Sequence, residues 1–288
     1  MIELRMLGRL SVTGADGREA QTLLGQPRRF ALLAYLAAAT PFGFHRRDTL
    51  LALFWPELDQ GHARTALRQA LRVLRTSLGS GVLVNRGDED VGLDFGQVWS
   101  DVAAFERAID AGAWLEATDL YRGPLLEGFF ISDGPEFERW LESERARLRE
   151  AAARAAQALI EQCESRGNLT TATHWARRAV ELAPNDEALV RRLISVLDHH
   201  GDRASALQAY QAFAQRLAAE YEAEPAAETQ ALVAAVRARE RVAPRVQLAA
   251  VDLLPRVRAG LGERYRIERE LARGRTAKIG RASCRERV

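Results

Sequence analysis

Lysine is almost missing from this sequence. Lys278 is the only one in 288 residues, and every other basic side chain, histidine aside, is arginine. Codon usage in a GC-rich genome accounts for most of that bias but not for where the arginines fall. A guanidinium forks and can hold a phosphate or a guanine edge through two bonds. Net charge is also small, +2, so no global basicity argues for nucleic acid. Cysteine is scarce. Cys163 and Cys284 stand far apart with no CxxC partners, which excludes a disulfide framework and a cysteine zinc site. The histidines are scattered or, at His199-His200, adjacent, and adjacent helical residues point too far apart to share a metal. Neither a metal nor a cofactor is expected. Long apolar runs are lacking too. Stretches such as Ala31 to Ala39 fall well short of the roughly 20 residues that span a bilayer. Met1 to Arg5 has no basic-then-apolar signal pattern, so a cytoplasmic location and no membrane partner are expected.

What is present is enough to fold. Hydrophobic residues make up 47% and charged ones 28%, the balance of a globular chain rather than a disordered one. The length allows about two domains. Charge is uneven along the chain: from Gln26 to Leu78 there are eight arginines against three acids, Asp48, Glu57 and Asp59. A phosphate backbone feels that local excess rather than the net charge.

Residues 2–13 alternate like one half-buried strand, and Gly14 to Gly17 reads as a turn with a short second strand after it. Pro27 starts a helix whose apolar face carries Phe30, Leu32, Leu33, Tyr35 and Leu36. His45-Arg46-Arg47-Asp48 precedes a short helix with Leu50, Leu51, Leu53 and Phe54, closed by Pro56. A third helix runs from about Gly61 to Leu78 and ends at Gly79-Ser80-Gly81. Val82 to Asn85 and Val91 to Phe95 flank a polar tip, a hairpin signature. Strands, three helices and a hairpin is the order of a winged helix-turn-helix with an N-terminal sheet. From Asp101 to about Arg241 strand signals vanish. A 34-residue repeat aligns Gly167-Asn168 with Gly201-Asp202, Ala172 with Ala206, Ala176 with Tyr210 and Ala179 with Phe213. That spacing is the tetratricopeptide period. The expected fold is therefore mainly α with a small β component: a winged helix-turn-helix, then an all-α tetratricopeptide-like domain.

The third helix carries the chemistry. On a helical wheel Ala63, Leu67, Leu71, Leu74 and Leu78 share one face, while Arg64, Arg68, Arg72 and Arg75 form another stripe, flanked by Thr65, Gln69 and Thr76. Like charges four apart on a helix repel by about 0.2–0.5 kcal/mol per pair, and no acid within 62–78 offsets them. The phosphates of double-stranded DNA would offset them, and the major groove admits a helix. The N-terminal part of such a helix meets base edges. That gives Arg64, Thr65, Arg68 and Gln69 to bases, and Arg72 and Arg75 to phosphates. Arg46 and Arg47 belong to the same basic region. Arg86 at the hairpin tip reaches a phosphate or the minor groove, although Asp88-Glu89-Asp90 weakens that reading. Taken alone, an arginine stripe is more often solvated surface; its position between helices and hairpin favours DNA.

His62 to Gly79 resembles the recognition helix of the Streptomyces antibiotic regulatory protein (SARP) family of bacterial transcriptional activators. Tyr121-Arg122-Gly123-Pro124-Leu125-Leu126-Glu127-Gly128-Phe129, with Trp140-Leu141-Glu142-Ser143-Glu144-Arg145 and Leu148, resembles the start of the bacterial transcriptional activator domain. The resemblance covers about Ile2 to Arg237. It implies an OmpR-type winged helix over 1–97 and the activator domain over 98–240. It also implies recruitment of RNA polymerase from direct-repeat sites, which favours a homodimer on tandem DNA. The turn from Trp55 to Gly61 would lie near the polymerase or a neighbouring protomer.

Leu261 to Gly274 resembles the opening of a Ser/Thr protein kinase domain. The glycine-rich loop does not complete and no strand lysine, His-Arg-Asp or Asp-Phe-Gly follows. Residues 241–276 are thus read as a linker and truncated kinase start, and 277–288 as a non-native tail. No enzyme activity is expected. Two other readings remain open: the regulatory N-terminal part of a kinase fusion, and an interaction scaffold that has lost DNA.

Overall fold

A computed structural model of the chain describes residues 1–15, 17, 25–79 and 81–242, and the backbone of residues 265–273 and 278–284. The strand expected after Gly17, Ser80, most of the linker and parts of the kinase-like stretch lie outside the described residues. The chain divides into two units, Met1–Val236 and Arg237–Val288.

The first unit opens with a correction. Residues 2–13 are two strands, not one: β1 (Ile2–Arg5) and β2 (Ser11–Thr13), antiparallel with Glu3 opposite Thr13 and Arg5 opposite Ser11. Alternation fails because Met6 and Leu7 are both buried. Their N–H groups donate to Asp101 Oδ2 at 2.7 and 2.9 Å, and Gly8 turns the chain at φ +86°, a value that suits a residue without Cβ.

Helix α1 (Pro27–Ala38) follows, with proline in its first turn and Phe30, Leu32, Leu33 and Leu36 fully buried. Next come β3 (Phe44–Arg46), α2 (Arg47–Phe54) and α3 (Gln60–Leu78). The hairpin is β4 (Leu83–Arg86) and β5 (Asp90–Leu93), with Arg86 opposite Asp90. Strand β3 pairs with the outer edge of β5, so this wing sheet has the order β3-β5-β4. The short β3 escaped sequence analysis, as did β6 (Val98–Ser100), which runs parallel to β1 and completes the sheet β2-β1-β6.

From Asp101 the unit is helical: α4 (Asp101–Asp110), α5 (Trp114–Leu120), α6 (Pro135–Ser165), α7 (Leu169–Leu182), α8 (Glu187–His199), α9 (Arg203–Tyr221) and α10 (Ala227–Val242), which extends past Val236. The repeat has a local cause. Gly167 and Gly201 take φ +70° and +84°, ending one helix with a left-handed residue. The next residue caps the following helix: Asn168 Oδ1 accepts from Thr171 N and Asp202 Oδ1 from Ser205 N, both at 3.1 Å. Ala172, Ala206, Ala176, Ala179 and Phe213 are buried where the helices pair. The fold is thus mainly α: a winged helix-turn-helix with small sheets, followed by an all-α domain.

The two parts share one core. Tyr35 of α1 packs on Trp140 of α6 at 4.7 Å between ring centroids, Phe54 of α2 on Phe137 at 5.4 Å, and Phe30 on Phe129 at 5.4 Å. The 121–129 motif docks on the N-terminal sheet through backbone. Leu126 N donates to Met6 O at 2.8 Å and Gly8 N to Pro124 O at 3.1 Å. Arg145 holds the motif from α6, donating to the carbonyls of Leu125 and Leu126 at 2.8 and 2.7 Å. Gly123 crosses Gly8 so closely that a Cβ on it would stand 2.9 Å from the Gly8 Cα. The motif thus has a packing function: it seats the helical part against the strand that supports the winged helix.

In the second unit β7 (Tyr265–Arg273) and β8 (Lys278–Cys284) pair antiparallel. Residues 261–274 contribute β7, and residues 277–288 contribute β8.

Candidate nucleic-acid interface

Helix α3 is built to show one face. Asp59 caps its N-terminus: Oδ1 accepts from Gly61 N at 3.0 Å and His62 N at 3.1 Å, and Oδ2 bonds the His62 ring. These bonds, the His62 side chain first, hold the Asp59 carboxyl below its ordinary pKa. Ala63, Leu67, Ala70, Leu71, Leu74 and Leu78 are buried. Arg64, Thr65, Arg68, Gln69 and Arg72 are exposed, and Arg75 is half-buried. Gly79, at φ +110°, ends the helix.

A lowered carboxyl pKa adds stability above the unfolded value and loses it as pH falls through the folded one. Asp59→Ala should therefore lower the thermal midpoint at neutral pH, with a deficit that shrinks as the solution is acidified through the carboxylate range. Melting curves at several pH values check this.

The arginines do not all stand alike. Arg68 Nη2 donates to Thr65 Oγ1 at 3.1 Å, and Thr65 donates in turn to Gly61 O at 3.0 Å. Among the described residues neither Arg68 nor Arg72 forms an ion pair. Arg64 faces Asp48 at 4.0 Å. Arg46 pairs with Glu89 at 3.2 Å. Arg47, at the start of α2, and Arg75, near the end of α3, both donate to Asn85 Oδ1, at 3.0 and 3.2 Å. Arg86 is the most committed: Nε and Nη2 donate to Asp90 Oδ2 at 3.0 and 2.7 Å, and its guanidinium lies over the Phe44 ring at 4.7 Å.

Arg46, Arg47, Arg64 and Arg68 line one cleft with Asp48, Leu51, Leu67, Asp88 and Glu89. Four arginines chosen from sequence thus converge at the N-terminal half of α3, between the β3–α2 corner and the wing tip. Arg72 and Arg75 lie one and two turns further along the same helix. Three features went unseen in the sequence. Asp59 could have been found, since an Asp just before a helix start is a preferred N-cap. Asn85 carries no signal of its own, since only the fold places it between two arginines. The pairing of Arg46 and Arg64 with acids depends on the β3–β5 register and on how α2 meets α3. Behind the cleft His45 is half-buried against Tyr35, ring centroids 5.1 Å apart, and burial pushes its pKa down.

Among the described residues there is no group of three or more side chains that could hold a metal, and no helix long and apolar enough to cross a membrane.

Residues 96–237 match the family model described as the bacterial transcriptional activator domain. Comparison with curated proteins gives no match. Among solved structures the chain is similar to Mycobacterium tuberculosis EmbR in complex with a low-affinity phosphopeptide. The TM-score is 0.58 and the identity 22%, over 83% of this chain and 65% of that one. The chain thus spans about two thirds of that relative, and at this identity the likeness concerns the fold. The TPR2B-domain:pHsp70 complex of yeast Sti1 matches at TM-score 0.27 and 17% identity, over 48% of this chain and 94% of that one. That score is too low to carry an argument.

Proposed function

We propose that this chain is a sequence-specific, duplex-DNA-binding transcriptional regulator of the SARP type, an activator that recruits RNA polymerase and catalyses no reaction. One observation carries the DNA part. A helix buried along one side by Leu67, Leu71 and Leu74 presents Arg64, Arg68 and Arg72 outward, at the position in a winged helix-turn-helix that enters the major groove. The match of residues 96–237 to the activator domain supports the regulatory part.

In this reading Arg64, Thr65, Arg68 and Gln69 meet base edges. Arg72, Arg75, Arg46 and Arg47 meet phosphates, with Asn85 positioning Arg47 and Arg75. Arg86 joins them only by giving up Asp90. The domains are read as 1–97 and 98–240; up to Val236 they belong to one compact unit, so the Trp55–Gly61 turn meets polymerase or a neighbouring protomer at a fixed angle. A homodimer on tandem sites and a cytoplasmic location belong to the same proposal.

Selection of bound duplexes from a random pool tests it. Repeated rounds should enrich one short motif, arranged as direct repeats, whose affinity falls steeply with salt. A pool that stays random, or binding indifferent to salt, would overturn the reading in favour of an interaction scaffold.

A further inference from the structure

Carboxylates stand among the arginines of the proposed DNA face, and backbone holds them there. Arg47 N donates to Glu89 O at 2.8 Å, and Asp90 sits opposite Arg46 in the β3–β5 register. Arg86, bonded to Asp90 and lying over Phe44, closes the hairpin just below its tip. The tip between them, Gly87-Asp88-Glu89, is thereby pinned beside the N-terminal half of α3. Glu89 pairs with Arg46 at 3.2 Å, both side chains largely in water, and Asp88 lines the cleft shared by Arg46, Arg47, Arg64 and Arg68. A wing tip that approaches DNA would ordinarily gain from being basic. This one carries two acids in the cleft that its four arginines line.

We infer that Asp88 and Glu89 are internal competitors for DNA phosphate and hold down the non-specific affinity of this interface. The inference rests on the DNA-binding reading above. Non-specific affinity comes almost wholly from phosphate contacts. Each arginine that must leave a carboxylate to reach a phosphate gains less from doing so, and acids beside the backbone repel it. Both effects weaken binding to every duplex. Only a cognate site adds base contacts to Arg64 and Arg68 that offset the loss, so binding elsewhere falls below working concentrations. Pairs this exposed are individually weak, which lets DNA displace them without unfolding the wing.

The test compares the full chain with a variant carrying Asp88→Asn and Glu89→Gln. A control carries Glu150→Gln and Glu161→Gln, exposed on α6, and has the same net charge. The probes are a random-sequence duplex and the duplex enriched by selection. The wing variant should bind random duplex about threefold or more tighter than the control, with a log–log salt dependence steeper by about one. Equal affinities and slopes for wing variant and control, with the wild type binding DNA, would overturn this inference alone. If no form binds any duplex at low salt, the DNA-binding reading falls and this inference with it.

Discussion

Asp101→Ala should destabilise the Met1–Val236 unit by about 2–4 kcal/mol, the cost of leaving two buried N–H groups without an acceptor. It should lower the thermal midpoint by on the order of 10 °C. Asp101 is 4% exposed, and one of its oxygens accepts from both Met6 N and Leu7 N. Those groups lie in the turn that joins β1 to β2 and that receives Pro124 and Leu126 from the helical part. Loss of the carboxylate therefore loosens the joint between the two parts as well as the sheet.

Asp101→Asn should cost much less, because an amide oxygen can accept the same two bonds. The pH dependence separates the two substitutions further. Burial pushes the Asp101 pKa up by more than the backbone donors pull it down. With the folded value raised, the folded state keeps a proton that the unfolded state has lost. Its contribution is then fully present below the unfolded pKa and declines as pH rises through the folded one. Relative to wild type, Asp101→Asn should be better tolerated at neutral pH than at acid pH, whereas Asp101→Ala should be poorly tolerated at both. Urea unfolding at the two pH values reads both effects.

The second large effect is on binding. The double substitution Arg64→Ala with Arg68→Ala should weaken binding to the selected duplex by about 2–4 kcal/mol, roughly 30- to 1,000-fold. Its effect on random duplex should be much smaller. Both side chains are exposed and neither packs in the core, so the melting temperature should stay near that of the wild type. Fluorescence anisotropy on the two duplexes gives the ratio. Equal losses on both would move these arginines from base reading to phosphate contact.

Much of the winged helix was readable because its signals are local. Pro27, the apolar spacing of α3 and the polar stretch between two apolar runs each mark an element without help from the rest of the chain. The repeat was readable for the same reason, since Gly167-Asn168 and Gly201-Asp202 end one helix and cap the next. Strands β3 and β6 were not, being three residues each and defined by partners far away in sequence. The single strand read across residues 2–13 failed where a long-range acceptor, Asp101, captured Met6 and Leu7. At the candidate site the helical period could show which arginines share a face. It could not show that Phe44 lies under Arg86, or that Asn85 gathers Arg47 and Arg75, because those contacts join elements that only the tertiary fold brings together.

The salt dependence of binding to the selected duplex, measured for the wild type and for Arg72→Ala, tests the arginine face most directly. Four phosphate contacts per protomer, from Arg46, Arg47, Arg72 and Arg75, predict a log–log slope of about −3.6 for each protomer bound, reduced in magnitude by about 0.9 per protomer in the variant. A slope near zero, or one that Arg72→Ala leaves unchanged, would contradict a duplex held along this helix.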